Sequence, residues 1–292
     1  MIYSQISSNV WRTALLMVFF VALVVGVAYV FSLHWNLGPW GMLAAFAVAL
    51  IWSMTSYFYG DKIVLASTHA RRVESPEQNR RLWDTVEGLS IAGGVPMPKI
   101  YVIDDPAPNA FATGRSPLTA SIAVTTGLLE KMEKVELEGV IGHELSHIRN
   151  YDIRLMVIAA VMVGAVALMA DWMWRSMFWG GGRKRGGNAI VALIAIVMVI
   201  LAPLAAQLMQ LALSRRREYL ADASGALLTR YPEGLASALE KIAVDPTPLH
   251  CANKATAHLF IWNPLREHKG WLNSLFNTHP PIEDRIRRLR EM

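Results

Sequence analysis

Four long apolar runs punctuate the chain, at about 13–33, 37–59, 155–174 and 189–213. Each is long enough to cross a bilayer core, which takes roughly 20 helical residues. Asp171 lies near the end of the third run, and Pro203, Gln207 and Gln210 interrupt the fourth. The first run is too long for the core of a signal peptide and is followed almost at once by another span, so an uncleaved anchor is expected. Between the runs the pattern changes. Over 134–151 the apolar residues Val135, Leu137, Val140, Ile141 and Leu145 recur with helical spacing. "KIYVI" (99–103) and "SIAVTTG" (121–127) read as short strands flanking a turn region rich in Pro, Gly and Asn. "FWGGGRKRGGN" (178–188) reads as a flexible loop. The expected architecture is a mainly α integral membrane protein with four transmembrane helices and an α+β domain carrying a small sheet. Residues 1–60 and 153–213 form two membrane hairpins, and 61–152 and 214–292 are the two parts of the polar domain.

Composition agrees with this pattern. Hydrophobic residues make up 53% of the 292 positions and charged residues only 17%, too apolar a balance for an ordinary soluble domain. The net charge of +5 sits mostly beside the apolar runs, which favours a lipid surface and argues against nucleic acid. One cysteine, Cys251, excludes an internal disulfide and a zinc site built on thiolates. With four spans, the 60–154 stretch and the tail share a side with Arg12, Lys62, Arg71, Arg72, Arg149, Arg154, Arg215, Arg216 and Arg217. The opposite side has Arg175, Arg183, Lys184 and Arg185. Nine against four turns the polar domain toward the cytoplasm.

The chemistry concentrates in "EGVIGHELSHIRNYD" (138–152). Residues four apart share a helix face, so the imidazoles of His143 and His147 can bind one ion. Glu144 is rotated off that face and can act as a general base beside it. A catalytic zinc takes three protein ligands and keeps one position open. Asn150 and Ile153 stand where a further histidine motif would need Gly and His, so the third ligand must come from elsewhere. "LALSRRREYLADASGALL" (211–228) offers Glu218, with Asp222 one turn later placed to fix the tautomer of a ligand histidine. His279 in "FNTHPPIEDRIRR", held extended before two prolines, can donate a hydrogen bond to an oxyanion.

"HELSH" (143–147), "REYLADASGALL" (217–228), "NAFATG" (109–114) and "NTHPPIEDRIRRL" (277–289) together resemble the HtpX-type membrane zinc metalloproteases, bacterial relatives of the CAAX prenyl proteases. The resemblance covers essentially the whole chain. It implies a zincin-like catalytic domain of the glutamate-ligand type, with one zinc on His143, His147 and Glu218, Glu144 as base and Asp222 behind the ligands. It also implies a substrate-binding edge strand at Asn109, Ala110 and Phe111, with His279 and Arg285 as transition-state or substrate contacts. Polypeptide substrates, cleavage of damaged membrane proteins and a place in the bacterial inner membrane follow from the resemblance, not from composition.

His147 lies about eight residues before the third run and Glu218 about five after the fourth, so both halves of the site are tied within roughly 15 Å of the spans' ends. Three other readings use the same residues. A non-catalytic zinc-binding regulator would have no use for Glu144. A zinc transporter would carry its ligands inside the spans. A CAAX-type prenyl-peptide protease would need a larger membrane chamber.

Overall fold

The computed structural model describes residues 2–35, 38–179, 215–253, 255–262 and 280–292. Two long helices come first, α1 (Ile2–Trp35) and α2 (Gly38–Ser67). A third, α6 (Asp152–Trp179), enters after the metal motif. Among the described residues these three are long and apolar enough to cross a membrane, with mean hydropathies of 2.2, 1.6 and 2.1 over Trp11–Tyr29, Gly38–Ser67 and Asp152–Met169. Of the α6 window, 72% is buried within the protein, against 22% and 17% for the other two. Among the described residues, helix α6 is therefore a core element, and most of α1 and α2 is left uncovered by the rest of the protein. The fourth expected span, 189–213, lies outside the described residues, as does the 178–188 loop beyond Trp179.

The polar domain contains a four-stranded sheet in the order β1-β2-β4-β3. Strands β1 (Arg71–Val73) and β2 (Lys99–Ile103) are antiparallel, with Arg72 opposite Tyr101. Strand β4 (Ser121–Thr125) runs parallel to β2, and the edge strand β3 (Ala110–Thr113) pairs antiparallel with β4, Phe111 opposite Ala123. Alternation sends Ile100, Ile122, Val124, Ala110 and Ala112 to one face and Ile103, Ala123 and Phe111 to the other. The first face packs on α3 (Arg80–Gly93) and α5 (Lys134–Arg149), and the second joins a cluster with α6, the C-terminal end of α2 (Val64, Leu65) and Leu16 and Phe20 of α1. The sheet thus forms a layer between the membrane helices and the polar helices.

Helix α5 begins with a reciprocal capping box between Glu133 and Glu136. Short α4 (Thr126–Lys131) precedes it. On its outer side lie α7 (Arg215–Thr229), α8 (Pro232–Val244) and α9 (Ile282–Arg290). Two glycines let α5 and α7 come close. A Cβ on Gly225 would lie 2.9 Å from the main-chain nitrogen of His143, and one on Gly142 would lie 3.3 Å from the Gly225 carbonyl oxygen. Their absence of side chains brings Glu218 and Asp222 to the histidine face of α5.

Candidate active site

Helix α5 supplies three of the candidate groups because its 3.6-residue turn places His143 over His147 and sets Glu144 beside them. All are buried, at 1%, 3% and 2% exposure, as is Glu218 at 2%, so nothing here is a solvated surface cluster. The Nε2 atoms of the two histidines are 3.1 Å apart. Glu218 reaches in from α7, with Oε1 3.6 Å from His147 Nε2 and Oε2 3.9 Å from His143 Nε2.

Each histidine is held from behind by a carboxylate. His143 Nδ1 donates to Asp222 Oδ1 at 2.9 Å, and His147 Nδ1 donates to Asp152 Oδ2 at 3.1 Å. Both rings therefore turn the lone pair of Nε2 inward. Two lone pairs at 3.1 Å repel unless a cation lies between them. The donor spacing suits a metal, since a tetrahedral zinc with bonds of about 2.0–2.1 Å separates its ligands by about 3.3 Å.

Arg285 forks onto Asp222 through Nε at 2.9 Å and Nη2 at 2.7 Å. Its Nη1 donates to the Ile261 carbonyl at 3.1 Å and lies 3.7 Å from Glu218 Oε2. At 1% exposure, this guanidinium is committed to the back of the site. That geometry suits support of His143 through Asp222 more than the direct substrate contact expected from the sequence.

The pKa shifts follow from this packing. Burial pushes Glu144 up to about 7, with the charge of Glu218 adding to it and His147, the Ala112 N–H and Arg285 opposing. For His147 burial acts downward, but the hydrogen bond it donates to Asp152 and the charges of Glu218, Asp152 and Glu144 raise it to about 9. His143 falls below its ordinary value because burial outweighs Asp222. Asp222 stays below the usual carboxylate range because Arg285 and His143 overcome its burial.

The segment expected to bind substrate holds Asn109 and the edge strand β3, and several of its groups already have partners within the chain. Asn109 Nδ2 donates to the Trp262 carbonyl at 2.9 Å, and the Ala110 carbonyl accepts from Ile261 N at 2.9 Å. Phe111 points to the membrane side and meets Phe260 edge-on at 5.0 Å. Ala112 instead turns its N–H toward the Glu144 carboxylate. His279 lies outside the described residues.

Asp152 was not singled out in the sequence. Tyr151, in the left-handed region at φ 60°, turns the chain between α5 and α6 and swings Asp152 back to His147. The break at "RNYD" was a faint signal for it, because such a turn lets a residue five positions on return to the helix face.

Three converging donors beside a buried carboxylate are the equipment of a metal-dependent hydrolase, and two of them at HExxH spacing on one helix point to a metallopeptidase. The chain belongs to peptidase family M48, whose sequence profile matches residues 76–292. It is 48% identical over 290 residues to a "Protease HtpX homolog" of Dictyoglomus thermophilum, covering 99% of this chain and 94% of that protein. A protein of the same name from Tropheryma whipplei strain Twist is 46% identical over 292 residues, covering 100% and 99%. Another from Listeria monocytogenes serotype 4a is 42% identical over 305 residues, covering all of both chains. In fold the chain resembles the crystal structure of S. mikatae Ste24p, with a TM-score of 0.50 at 18% identity, covering 96% of this chain and 66% of that longer one. The chain is thus a metallopeptidase carrying membrane-type helices.

Proposed function

We propose that the chain is a zinc endopeptidase that hydrolyses membrane proteins at the cytoplasmic face of the bacterial inner membrane, in quality control of damaged or misfolded chains. The observation that carries this is the pair of inward Nε2 atoms 3.1 Å apart, each histidine anchored by its own aspartate, with Glu144 buried alongside. His143, His147 and Glu218 would hold the ion, which when bound polarises the scissile carbonyl and makes water a stronger acid.

The protein's own groups do the rest. The Glu144 carboxylate takes a proton from the attacking water and returns it to the leaving amide nitrogen. A base poised near neutrality, with a backbone N–H from Ala112 holding its ionised form, suits both transfers. The edge of β3 beyond Ala110 offers main-chain groups to an extended peptide, which favours unfolded segments over compact ones. Arg285 keeps Asp222 ionised and directed at His143.

Placement at the membrane surface rests on an aromatic and basic belt. Arg115 lies over the Phe58 ring at 5.3 Å, Lys62 over Tyr59 at 5.2 Å, and Arg154 over Tyr151 at 5.3 Å. Trp11 is exposed on α1. Such residues favour the headgroup layer. Asp152, which touches His147, opens α6.

The test is cleavage of an unfolded polypeptide by the detergent-purified chain, stripped by a chelator and then restored with zinc. Loss on stripping and recovery on restoration are expected. A stripped chain that cuts as fast as the restored one would overturn the proposal.

A further inference from the structure

The amide of Asn9, near the start of the first membrane helix, reaches the back of the metal site. Its Nδ2 donates to Asp152 Oδ1 at 2.8 Å and to the Asn150 carbonyl at 3.0 Å, and its Oδ1 accepts from Arg217 Nη1 at 3.4 Å. Asn9 is 5% exposed and Asp152 1%. The other oxygen of Asp152 receives His147 Nδ1 at 3.1 Å. Arg217 precedes Glu218 on α7 and lies 3.8 Å from the same Asp152 carboxylate. Four elements therefore meet in one polar knot: α1 through Asn9, the end of α5 through Asn150, α6 through Asp152 and α7 through Arg217.

We infer that Asn9 is a positioning residue for the metal centre, so that the first membrane helix is a working part of the site as well as an anchor. This rests on the ligand role proposed for His147. Asp152 can orient the imidazole only if its own carboxylate is prevented from rotating, and the Asn9 amide pins the oxygen that His147 does not use. The fit is directional. Both amide hydrogens of Asn9 find acceptors and its oxygen finds a donor, so neither a carboxylate nor an apolar side chain could replace it. Outer partners of ligand histidines commonly change metal affinity by about 10–100-fold when removed. A tilt or shift of α1 in the bilayer would be felt at His147 through the same contacts.

The experiment titrates the metal-free full chain in detergent with Co²⁺, whose visible bands report both affinity and ligand geometry. Asn9→Ala is compared with wild type and with Thr13→Val, a control one turn away whose hydroxyl donates to the Asn9 main-chain carbonyl at 2.8 Å. Asn9→Ala is expected to bind at least about tenfold more weakly with shifted bands, while Thr13→Val stays near wild type. Asn9→Leu, which keeps the volume and removes the amide, serves if Asn9→Ala does not purify folded. Wild-type affinity in either folded Asn9 variant, or an equal loss in Thr13→Val, would overturn the inference. A wild-type chain that binds no Co²⁺ would instead overturn the ligand assignment beneath it.

Discussion

His143 and His147 meet with their Nε2 atoms 3.1 Å apart while the opposite nitrogen of each ring is bound to a different aspartate, Asp222 for the first and Asp152 for the second. With both Nδ1 positions acting as donors, the facing lone pairs need a positive charge between them. In the metal-free protein a proton on His147 supplies it, because the carboxylates around that ring raise its pKa to about 9 while burial lowers that of His143.

Metal binding must therefore displace a proton. Below about pH 9 the fraction of His147 free to coordinate falls as pH falls. Apparent zinc affinity should then rise by about tenfold per pH unit and level off above that value. Titration calorimetry in two buffers of different ionisation enthalpy should register release of about one proton near neutral pH. The same raised pKa stabilises the metal-free fold at low pH, and that contribution is lost as pH rises through about 9. A zinc affinity independent of pH across the neutral range would contradict this.

Arg285 has a structural stake that can be measured apart from activity. Arg285→Leu leaves the buried Asp222 carboxylate without its fork, a change that costs about 3–5 kcal/mol when one partner of a buried pair is removed. Arg285→Lys keeps the charge without the two-pronged geometry and should fall between the two. Denaturant unfolding of the detergent-solubilised chain measures it, and a loss under about 0.5 kcal/mol would contradict the role.

Gly225 tests the helix contact. A Cβ there would meet the backbone of His143 and Gly142, which cannot swing aside as a side chain could. Gly225→Ala should cost about 1–3 kcal/mol and weaken metal binding by pushing Glu218 away from the histidines. Gly26→Ala in α1, with nothing within 4 Å of the new methyl group, should change neither. Equal behaviour of the two variants would remove the argument that glycines set the donor spacing.

Much of the site was readable from spacing, because helical geometry is local. The i, i+4 relation of His143 to His147, and of Glu218 to Asp222, puts partners on one face without knowledge of the fold. Strands β2 and β4 were legible as β-branched apolar runs. Strand β3 is four residues long and buried on every side chain, so it shows no alternation, and β1 is three residues beginning with two arginines. The expectation of a strand near 109–114, where β3 lies, came from family resemblance. Arg285 was expected at the substrate, and the structure sets it behind Asp222, 63 positions away along the chain, where no spacing rule reaches. Asp152 and Asn9 were not legible for the same reason, since a left-handed Tyr151 and a contact across 143 positions join them to His147.

The most direct test compares wild type with Glu144→Gln, both loaded with zinc, for cleavage of an unfolded polypeptide, with bound metal measured in each. The account predicts that both hold zinc at the His143, His147 and Glu218 cluster and that the variant cuts about 10²–10⁴-fold more slowly, the usual contribution of a positioned base. A Glu144→Gln chain that cuts at the wild-type rate would contradict it.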